Sequence, residues 1–339
     1  IIGIPKESRA GEKRVALIPA HLGPLKKSGD HEIRVEAGAG LAAGYPDALY
    51  EQAGAVVIAD RSKLLSESDV LLQVHVLGSG SAESTETADL ERLHAGQTLI
   101  GLCDPLWRPQ AIQALAQRGV LIYSMELIPR ISRAQSMDVL SSMATISGYK
   151  AVLLAATELP RMFPLLMTAA GTVTPAKVFV IGAGVAGLQA IAQARKLGAV
   201  VTAYDVRPTV RDQIESLGAK FLEIELETGK TEGEGGYARA MDETFYRKQR
   251  ELLSKAVEES DVVITTAAIP GAKSPVLITR EMVDLMKAGS VIVDLAAERG
   301  GNCELTRPDQ ATEHGGVLIL GPSNLPSTVS YHASQMYSK

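Results

Sequence analysis

Residues 177–205 read KVFVIGAGVAGLQAIAQARKLGAVVTAYD, and this stretch decides the fold. The apolar run Lys177–Ile181 predicts a buried strand, Val185–Leu197 predicts a helix, and Val200–Tyr204 predicts a second strand. A strand, a helix and a further strand in close succession are typical of a βαβ unit, whose two strands lie parallel. The stretch therefore predicts an α/β protein with a parallel sheet.

A glycine-rich turn, residues 182–187 with the sequence GAGVAG, joins the first of these strands to the helix. Gly182 permits a tight turn, Gly184 lets the backbone approach a phosphate, and Gly187 lets the helix pack closely on the sheet. The free N–H groups and the positive dipole end of the helix suit a pyrophosphate. Alone the pattern is weak, but the strand before it and the helix after it are the expected context. The residues predicted here to bind a dinucleotide are Gly182, Ala183, Gly184, Val185 and Gly187.

The second strand is followed directly by Asp205, where the ribose of a dinucleotide is expected. A carboxylate there accepts hydrogen bonds from both ribose hydroxyls and repels a 2′-phosphate, which favours NAD(H) over NADP(H). Arg207 weakens this preference because its charge could neutralise a 2′-phosphate. A glycine-rich turn without any cofactor remains the alternative.

Another strand ends in a turn at residues 264–271, ITTAAIPG. Ligands of open parallel sheets lie at the carboxyl ends of strands, so this turn is predicted to border the nicotinamide half of the dinucleotide. Ala267 is the predicted contact. An ordinary transition from strand to loop is the alternative.

Aliphatic strands and helical segments alternate along the whole chain, which predicts an α/β fold of two Rossmann-like, doubly wound domains with parallel sheets separated by a cleft. We expect one domain to comprise residues 1–140 and 308–339, and the other, the NAD(H)-binding domain, residues 141–307. A long helix is predicted over Ser136–Leu159, and a late strand over Gly316–Leu320 is expected to return to the first domain.

Composition excludes several classes of protein. A net charge of −5 and a pI of about 5.8 argue against a nucleic-acid partner. The two cysteines, Cys103 and Cys303, lie far apart, and neither they nor the histidines have metal-ligand spacing, so no metal is expected. No apolar run reaches the roughly 18 residues of a membrane span, so we predict no direct span.

The segments Ile4–Glu7 and Arg14–Pro19, with the glycine-rich turn, resemble the alanine dehydrogenase/transhydrogenase α-subunit family over essentially the whole chain. In the alanine dehydrogenase branch a lysine and a histidine serve the amino-acid chemistry, and this chain has His75 and Asp104 at those positions. Arg14, which in that branch holds a substrate carboxylate, is kept. The two replacements disfavour alanine dehydrogenase activity, and His75 is better explained as a hydrogen-bonded histidine at the end of a strand than as a catalyst.

Residues 125–141, MELIPRISRAQSMDVLS, resemble the transhydrogenase branch, in which an Arg-Gln-Asp loop reaches the nicotinamide site. A glutamine amide can hold a ribose or a nicotinamide, and Arg130 and Asp138 can pair with each other or bind the carboxamide. A surface ion pair within a loop is the alternative. The residues to which the resemblance gives catalytic roles are Arg130, Gln135, Asp138 and Ser141.

The polar, glycine-rich stretch 228–239 contains Gly235-Gly236-Tyr237, which resembles the loop that closes over bound nucleotide in this family. Tyr237 is therefore predicted to act as a catalytic lid residue, although an exposed tyrosine in a tolerated insertion is the alternative. At the position of Ala268 the family often has leucine. The cofactor contacts implied by the resemblance are Val206, Arg207, Gly235, Gln249 and Ala268.

The resemblance implies a component that binds NAD(H) and passes hydride from NADH to NADP⁺, which is held on an NADP(H)-binding partner domain of a proton-translocating transhydrogenase. The implied partners are that NADP(H)-binding domain, a membrane domain and a second copy of this chain, at the cytoplasmic or matrix face of an energy-transducing membrane. Two alternatives remain open. One is an NAD-dependent amino-acid dehydrogenase, which needs a positioned acid or base. The other is a sensor that binds NAD(H) without turnover.

Overall fold

The computed structural model describes residues 1–79, 88–223, 243–269 and 271–339. The chain divides into two compact units, Ile1–Met143 with Pro326–Lys339, and Ala144–Leu325. Each unit contains a sheet of mainly parallel strands, which confirms the predicted α/β fold class.

The first unit is built on six parallel strands in the order β3-β2-β1-β4-β5-β6. The chain moves outward from β1 in one direction and then in the other, as in a doubly wound sheet. Ile4, Leu71 and Leu99 on the central strands are fully buried. The strands are β1 Ile2–Ile4, β2 Ile33–Glu36, β3 Val56–Ile58, β4 Val70–His75, β5 Thr98–Leu102 and β6 Leu121–Ser124. The helices between them are α1 Leu22–Lys27, α2 Asp47–Gln52, α3 Arg61–Glu67 and α4 Pro109–Ala116.

A long helix, α5, covers Val139–Glu158 and continues from the first unit into the second. Among the described residues it is long and apolar enough to cross a membrane, which corrects the expectation that no segment reaches that length. A core helix of a globular domain meets the same criterion, and Ala151 and Ala155 are fully buried. Only glycine fits at position 148, because a Cβ there would overlap the carbonyl oxygen of Ala186.

The second unit contains a seven-stranded sheet in the order β11-β10-β9-β12-β13-β15-β14. Every residue of β12 and β13 is buried, as expected for parallel strands covered on both faces. The strands of this unit are β7 Leu166–Thr168, β8 Gly171–Val173, β9 Lys177–Ile181, β10 Val200–Tyr204, β11 Lys220–Phe221, β12 Val262–Thr265, β13 Val291–Asp294, β14 Ala311–His314 and β15 Val317–Leu320. The helices are α6 Val185–Lys196, α7 Arg211–Ser216, α8 Glu243–Glu258 and α9 Arg280–Asp284.

The end of the chain differs from the expected division at residue 308. Strand β15 pairs in parallel with β13, and β14 pairs antiparallel with β15, so both extend the sheet of the second unit. The chain rejoins the first unit only at Pro326, where helix α10, Ser330–Tyr337, follows. Its Tyr337 is buried and donates a hydrogen bond to the carbonyl of Gln73 (2.8 Å), which anchors the helix.

Candidate dinucleotide site

The glycine-rich turn in the second unit connects β9 to α6 through two close backbone approaches. Gly182 has a φ of +94°, a conformation that side-chain-bearing residues rarely adopt. A Cβ at Gly187 would overlap the carbonyl oxygen of Gly182, so only glycine lets α6 begin this close to the strand end. Thr266 closes the other side of the turn, since its hydroxyl donates to the Gly182 carbonyl (3.0 Å).

Helix α6 begins at Val185 with Gly184 as its N-cap, and no side chain from residues 1–79, 88–223, 243–269 or 271–339 caps it. The first N–H groups of a helix lack partners within the helix, and the helix dipole favours an anion there. A Cβ at Gly184 would meet no heavy atom of the described residues within 4 Å, so among these residues open space lies beside this backbone. The turn therefore offers both the room and the donors that a pyrophosphate needs.

Asp205 follows β10 and is 9% exposed. Its carboxylate accepts a hydrogen bond from the N–H of Ala183 (2.7 Å), which ties it to the glycine-rich turn. It also accepts bonds from Nε and Nη2 of Arg207, both at 2.9 Å, and from the N–H of Arg207 (2.9 Å). The paired geometry is the strong, bidentate kind. Arg207 therefore lies directly on the carboxylate that was predicted to select the ribose.

Gln249 of helix α8 lies beside the end of β10. It is 4% exposed, and its Nε2 donates to the hydroxyl of Tyr204 (3.0 Å), the residue before Asp205. The pKa of Tyr204 is well above its usual value, and burial is the largest cause. The hydrogen bond from Gln249 opposes this rise and offsets only part of it. Val206 is half-buried against the neighbouring core. The structure thus brings Gln249 close to the strand end that carries the predicted ribose contact.

Ala267 and Ala268 follow β12, the strand beside β9. Ala267 is half-buried and Ala268 is exposed. The amide of Asn302 binds both polar backbone groups of Ala267, accepting from its N–H (3.0 Å) and donating to its carbonyl (2.9 Å). Asn302 was not foreseen from the sequence. The signal that could have found it is a polar residue shortly after the apolar strand that ends at Asp294.

In the first unit, the residues of the Arg-Gln-Asp loop lie just before α5. Nε of Arg130 is 3.5 Å from Oδ2 of Asp138, and Nη2 of Arg130 is 3.1 Å from Oγ of Ser141. Asp138 accepts hydrogen bonds from the Ser141 N–H (2.9 Å) and hydroxyl (2.6 Å), as the N-cap residue of a helix does. Gln135 is exposed. Three of the four predicted residues are thus in mutual contact.

The carboxylate of Asp138 is held in its charged form. Partial burial by itself raises the pKa of Asp138, but the two hydrogen bonds from Ser141 and the charge of Arg130 outweigh burial and lower that pKa below its usual value. The Arg130–Asp138 pair anticipated from the sequence is present. Tyr237, the predicted lid residue, and Gly235, a predicted cofactor contact, lie outside the described residues.

A cluster of charged residues surrounds the position where the alanine dehydrogenase branch has its lysine. Nε and Nη2 of Arg14 donate to the carboxylate of Glu12 at 2.8 and 2.6 Å, and Nη2 is 3.1 Å from Nε2 of His75. Burial lowers the pKa of His75, partly opposed by its hydrogen bond to Glu12, which favours the neutral ring. Arg14 therefore already holds a carboxylate from its own chain. Among the described residues no cluster of potential metal ligands occurs.

A doubly wound parallel sheet with a glycine-rich turn, a bare helix N-terminus and an acid after the second strand defines a dinucleotide-binding protein of the Rossmann type. Two family models cover nearly the whole chain: alanine dehydrogenase/PNT, N-terminal domain, matches residues 3–147, and alanine dehydrogenase/PNT, C-terminal domain, matches residues 151–339. The chain belongs to the alanine dehydrogenase/PNT family.

Both branches of the family are similar to this chain, to different degrees. An NAD(P) transhydrogenase subunit alpha of Rhodospirillum rubrum is 47% identical over 339 residues, which are 100% of this chain and 87% of that protein. Alanine dehydrogenase of Bacillus subtilis is 32% identical, over 97% of this chain and 80% of that protein. A crystal structure of transhydrogenase from Sinorhizobium meliloti matches with a TM-score of 0.88 and 46% identity, covering 99% of this chain and 90% of that one. The chain is thus a homologue of transhydrogenase α subunits and a more distant relative of this alanine dehydrogenase.

Proposed function

We propose that the chain is the NAD(H)-binding component of a proton-translocating NAD(P) transhydrogenase and passes hydride from NADH directly to NADP⁺ held by a partner domain. The glycine-rich turn carries the proposal, because its bare helix N-terminus and the open space at Gly184 fit a dinucleotide pyrophosphate. The identity of 47% with a transhydrogenase α subunit supports the choice within the family.

NAD(H), rather than NADP(H), is the proposed ligand of this site. Asp205 is fixed by the N–H of Ala183 at the end of β10, where a carboxylate suits ribose hydroxyls and disfavours a phosphate. Arg207 balances the charge of Asp205 in the free chain. For the ribose to bind Asp205, the guanidinium of Arg207 would give up some of its bidentate contact, so the two residues together set the preference.

The bound nicotinamide supplies the hydride, and the chain supplies orientation. Transfer between two nicotinamides needs aligned rings and exclusion of water, and no acid or base. The turn at Ala267 and Ala268 is proposed to border the ring, and Val206 and Gln249 to support the nucleotide from the end of β10. Arg130, Gln135, Asp138 and Ser141 are proposed to act at the reacting end, and Tyr237 with Gly235 to close over it.

The state of Arg14 and His75 favours transhydrogenation over amino-acid oxidation. A substrate carboxylate would compete with Glu12 for the Arg14 guanidinium, and the pKa of His75 is lowered, so its ring is a poor proton donor at neutral pH. The chain has no lysine at this position, which is His75.

The proposed partners are an NADP(H)-binding domain, a membrane domain that moves protons and a second copy of this chain. The hairpin β7–β8 supports the last, because all six of its residues are exposed and they include Leu166, Met167 and Val173. Apolar side chains grouped on an exposed hairpin are typical of a protein interface. Through these partners the chain would be peripheral to the cytoplasmic or matrix face of the membrane.

One series of assays tests the proposal. The purified chain should bind NADH, followed by NADH fluorescence, and should leave NADH unoxidised when pyruvate and ammonium are added. Addition of the NADP(H)-binding domain of a related transhydrogenase should then start reduction of NADP⁺, and Gln135→Ala should slow it. Rapid oxidation of NADH by pyruvate and ammonium alone would instead identify an amino-acid dehydrogenase. Binding without turnover in either assay would identify a sensor.

A further inference from the structure

We infer that Asp294 and Asn302 are positioning residues that fix the nicotinamide end of the dinucleotide site, an inference that rests on the proposed function. Asp294 is the last residue of β13, and Asn302 follows it in the next loop of the same unit. Both side chains are fully buried. Neither was among the residues predicted to touch the dinucleotide.

The carboxylate of Asp294 organises the loop after β13. It accepts five hydrogen bonds of 2.7–3.0 Å, three from backbone N–H groups and two from hydroxyls. Buried charges are tolerated only when donors replace the lost water, and these five donors do so. Because two of the donors are the N–H groups of Asn302 itself and of the next residue, the bonds fix where the Asn302 side chain begins. The donors are the N–H groups of Ala296, Asn302 and Cys303 and the hydroxyls of Thr265 and Thr306.

The amide of Asn302 then holds the turn after β12 from the side. Besides its two bonds to the backbone of Ala267, its Nδ2 donates to the carbonyl of Pro275 (2.8 Å). Backbone N–H and carbonyl groups beyond the end of a strand have no hydrogen-bond partner in a neighbouring strand. Here the Asn302 side chain serves as that partner for Ala267. The amide uses both donors and its carbonyl on the protein, so it acts on the site through Ala267.

Thr266 completes a continuous line of bonds to the glycine-rich turn. Its N–H donates to the carbonyl of Ile181 (2.8 Å), and its hydroxyl donates to the carbonyl of Gly182 (3.0 Å). The line therefore runs from Asp294 through Asn302, Ala267 and Thr266 to Gly182. It fixes the distance between the backbone that suits the pyrophosphate and the backbone proposed to border the nicotinamide. A displacement of about 1 Å at a reacting ring can cost about a hundredfold in rate.

Asn302→Ala tests this role. Loss of the amide should speed hydrogen exchange at the Ala267 N–H by at least about tenfold, because its acceptor is removed. In the partner assay the variant should lower kcat for hydride transfer by about tenfold or more, while the Kd for NADH changes less than about threefold. Should Asn302→Ala fail to fold, Thr265→Val keeps the side-chain volume, removes one bond to Asp294, and should lower kcat by about two- to fivefold.

Asp261→Asn is the matched control, because Asp261 is a buried carboxylate of the same sheet that precedes β12 and accepts from the Lys177 N–H (2.9 Å). It should lower Tm as the site variants do and leave kcat unchanged. Wild-type kcat in Asn302→Ala and Thr265→Val, or equal losses in Asp261→Asn, would overturn the positioning role alone. Failure of the wild-type chain to bind NADH would overturn the proposed function and the inference together.

Discussion

Alanine substitutions at Gly184 and Gly187 distinguish a glycine that leaves room for a ligand from a glycine that lets the helix pack against the strand. At Gly184 the backbone has φ −75° and ψ −170°, which alanine adopts freely, and the added Cβ meets no heavy atom within 4 Å in the part of the chain that the structure describes. At Gly187 the Cβ would overlap the Gly182 carbonyl and lie 2.8 Å from its carbon. Gly184→Ala should therefore weaken only dinucleotide binding, whereas Gly187→Ala should also destabilise the fold.

The expected magnitudes follow from these two environments. In Gly184→Ala the loss of chain entropy in the unfolded state stabilises by about 0.4–1 kcal/mol, and the poorer N-cap offsets it, so the free energy of unfolding changes by less than about 1 kcal/mol. The methyl group stands where the pyrophosphate is proposed to lie, so NADH binding should weaken at least tenfold, about 1.4 kcal/mol. In Gly187→Ala helix and strand must separate by about 1 Å, which costs about 1–3 kcal/mol.

Urea denaturation and NADH titration, performed on both variants and the wild-type chain, measure the two effects separately. We expect wild-type stability with weak NADH binding for Gly184→Ala, and low stability with weak NADH binding for Gly187→Ala. Unchanged NADH affinity in a stable Gly184→Ala variant would refute the assignment of the pyrophosphate to this turn.

Three further outcomes are expected. Asp205→Asn should weaken NADH binding and narrow the preference for NADH over NADPH in competitive titration, and an unchanged ratio would remove Asp205 as the discriminator. Burial raises the pKa of Glu7 to about 7 from its usual 4.5. Between these two pH values the native chain therefore keeps a proton on Glu7 that the unfolded chain has lost. The free energy of unfolding should therefore fall by about 2–3 kcal/mol as pH rises from 4.5 to 7, and urea denaturation at pH 5 and 8 should show a smaller fall in Glu7→Gln. Met167→Asp places a charge on the exposed apolar hairpin, and sedimentation should show dimers for the wild-type chain, as proposed above, and monomers for the variant.

The parallel strands were predictable because apolar runs in buried sheets are continuous. Strands β9 and β10 have the bounds expected from sequence. The hairpin β7–β8 carries no such signal, because all of its residues are exposed and neither strand alternates between buried and exposed residues. The late strand expected over Gly316–Leu320 in the first domain is β15, which instead pairs with β13 in the second unit, and sequence alone does not reveal that pairing. Strand β14, which pairs antiparallel with β15, has no counterpart among the predicted strands.

The candidate site was predictable where backbone geometry demands glycine and where a strand end carries an acid. The turn around Gly182 and the position of Asp205 follow from such local rules. The contacts that support the site are long-range in the chain: Asn302 meets Ala267 across 35 residues and Gln249 meets Tyr204 across 45. No local pattern specifies such pairs, because they depend on the order of strands in the folded sheet.

Asp138 is both a proposed catalytic residue and the cap of a helix that belongs to two units. Removing its carboxylate would leave the Ser141 N–H in the first turn of α5 without this acceptor, a change worth about 1 kcal/mol at the start of the helix. Kinetic defects in Asp138 variants would therefore mix chemistry with fraying of a segment that both halves of the chain share. Ser141 likewise combines a proposed catalytic role with a hydrogen bond at the start of α5. Gln135 is exposed, so its substitution tests the reaction and leaves the start of this helix intact.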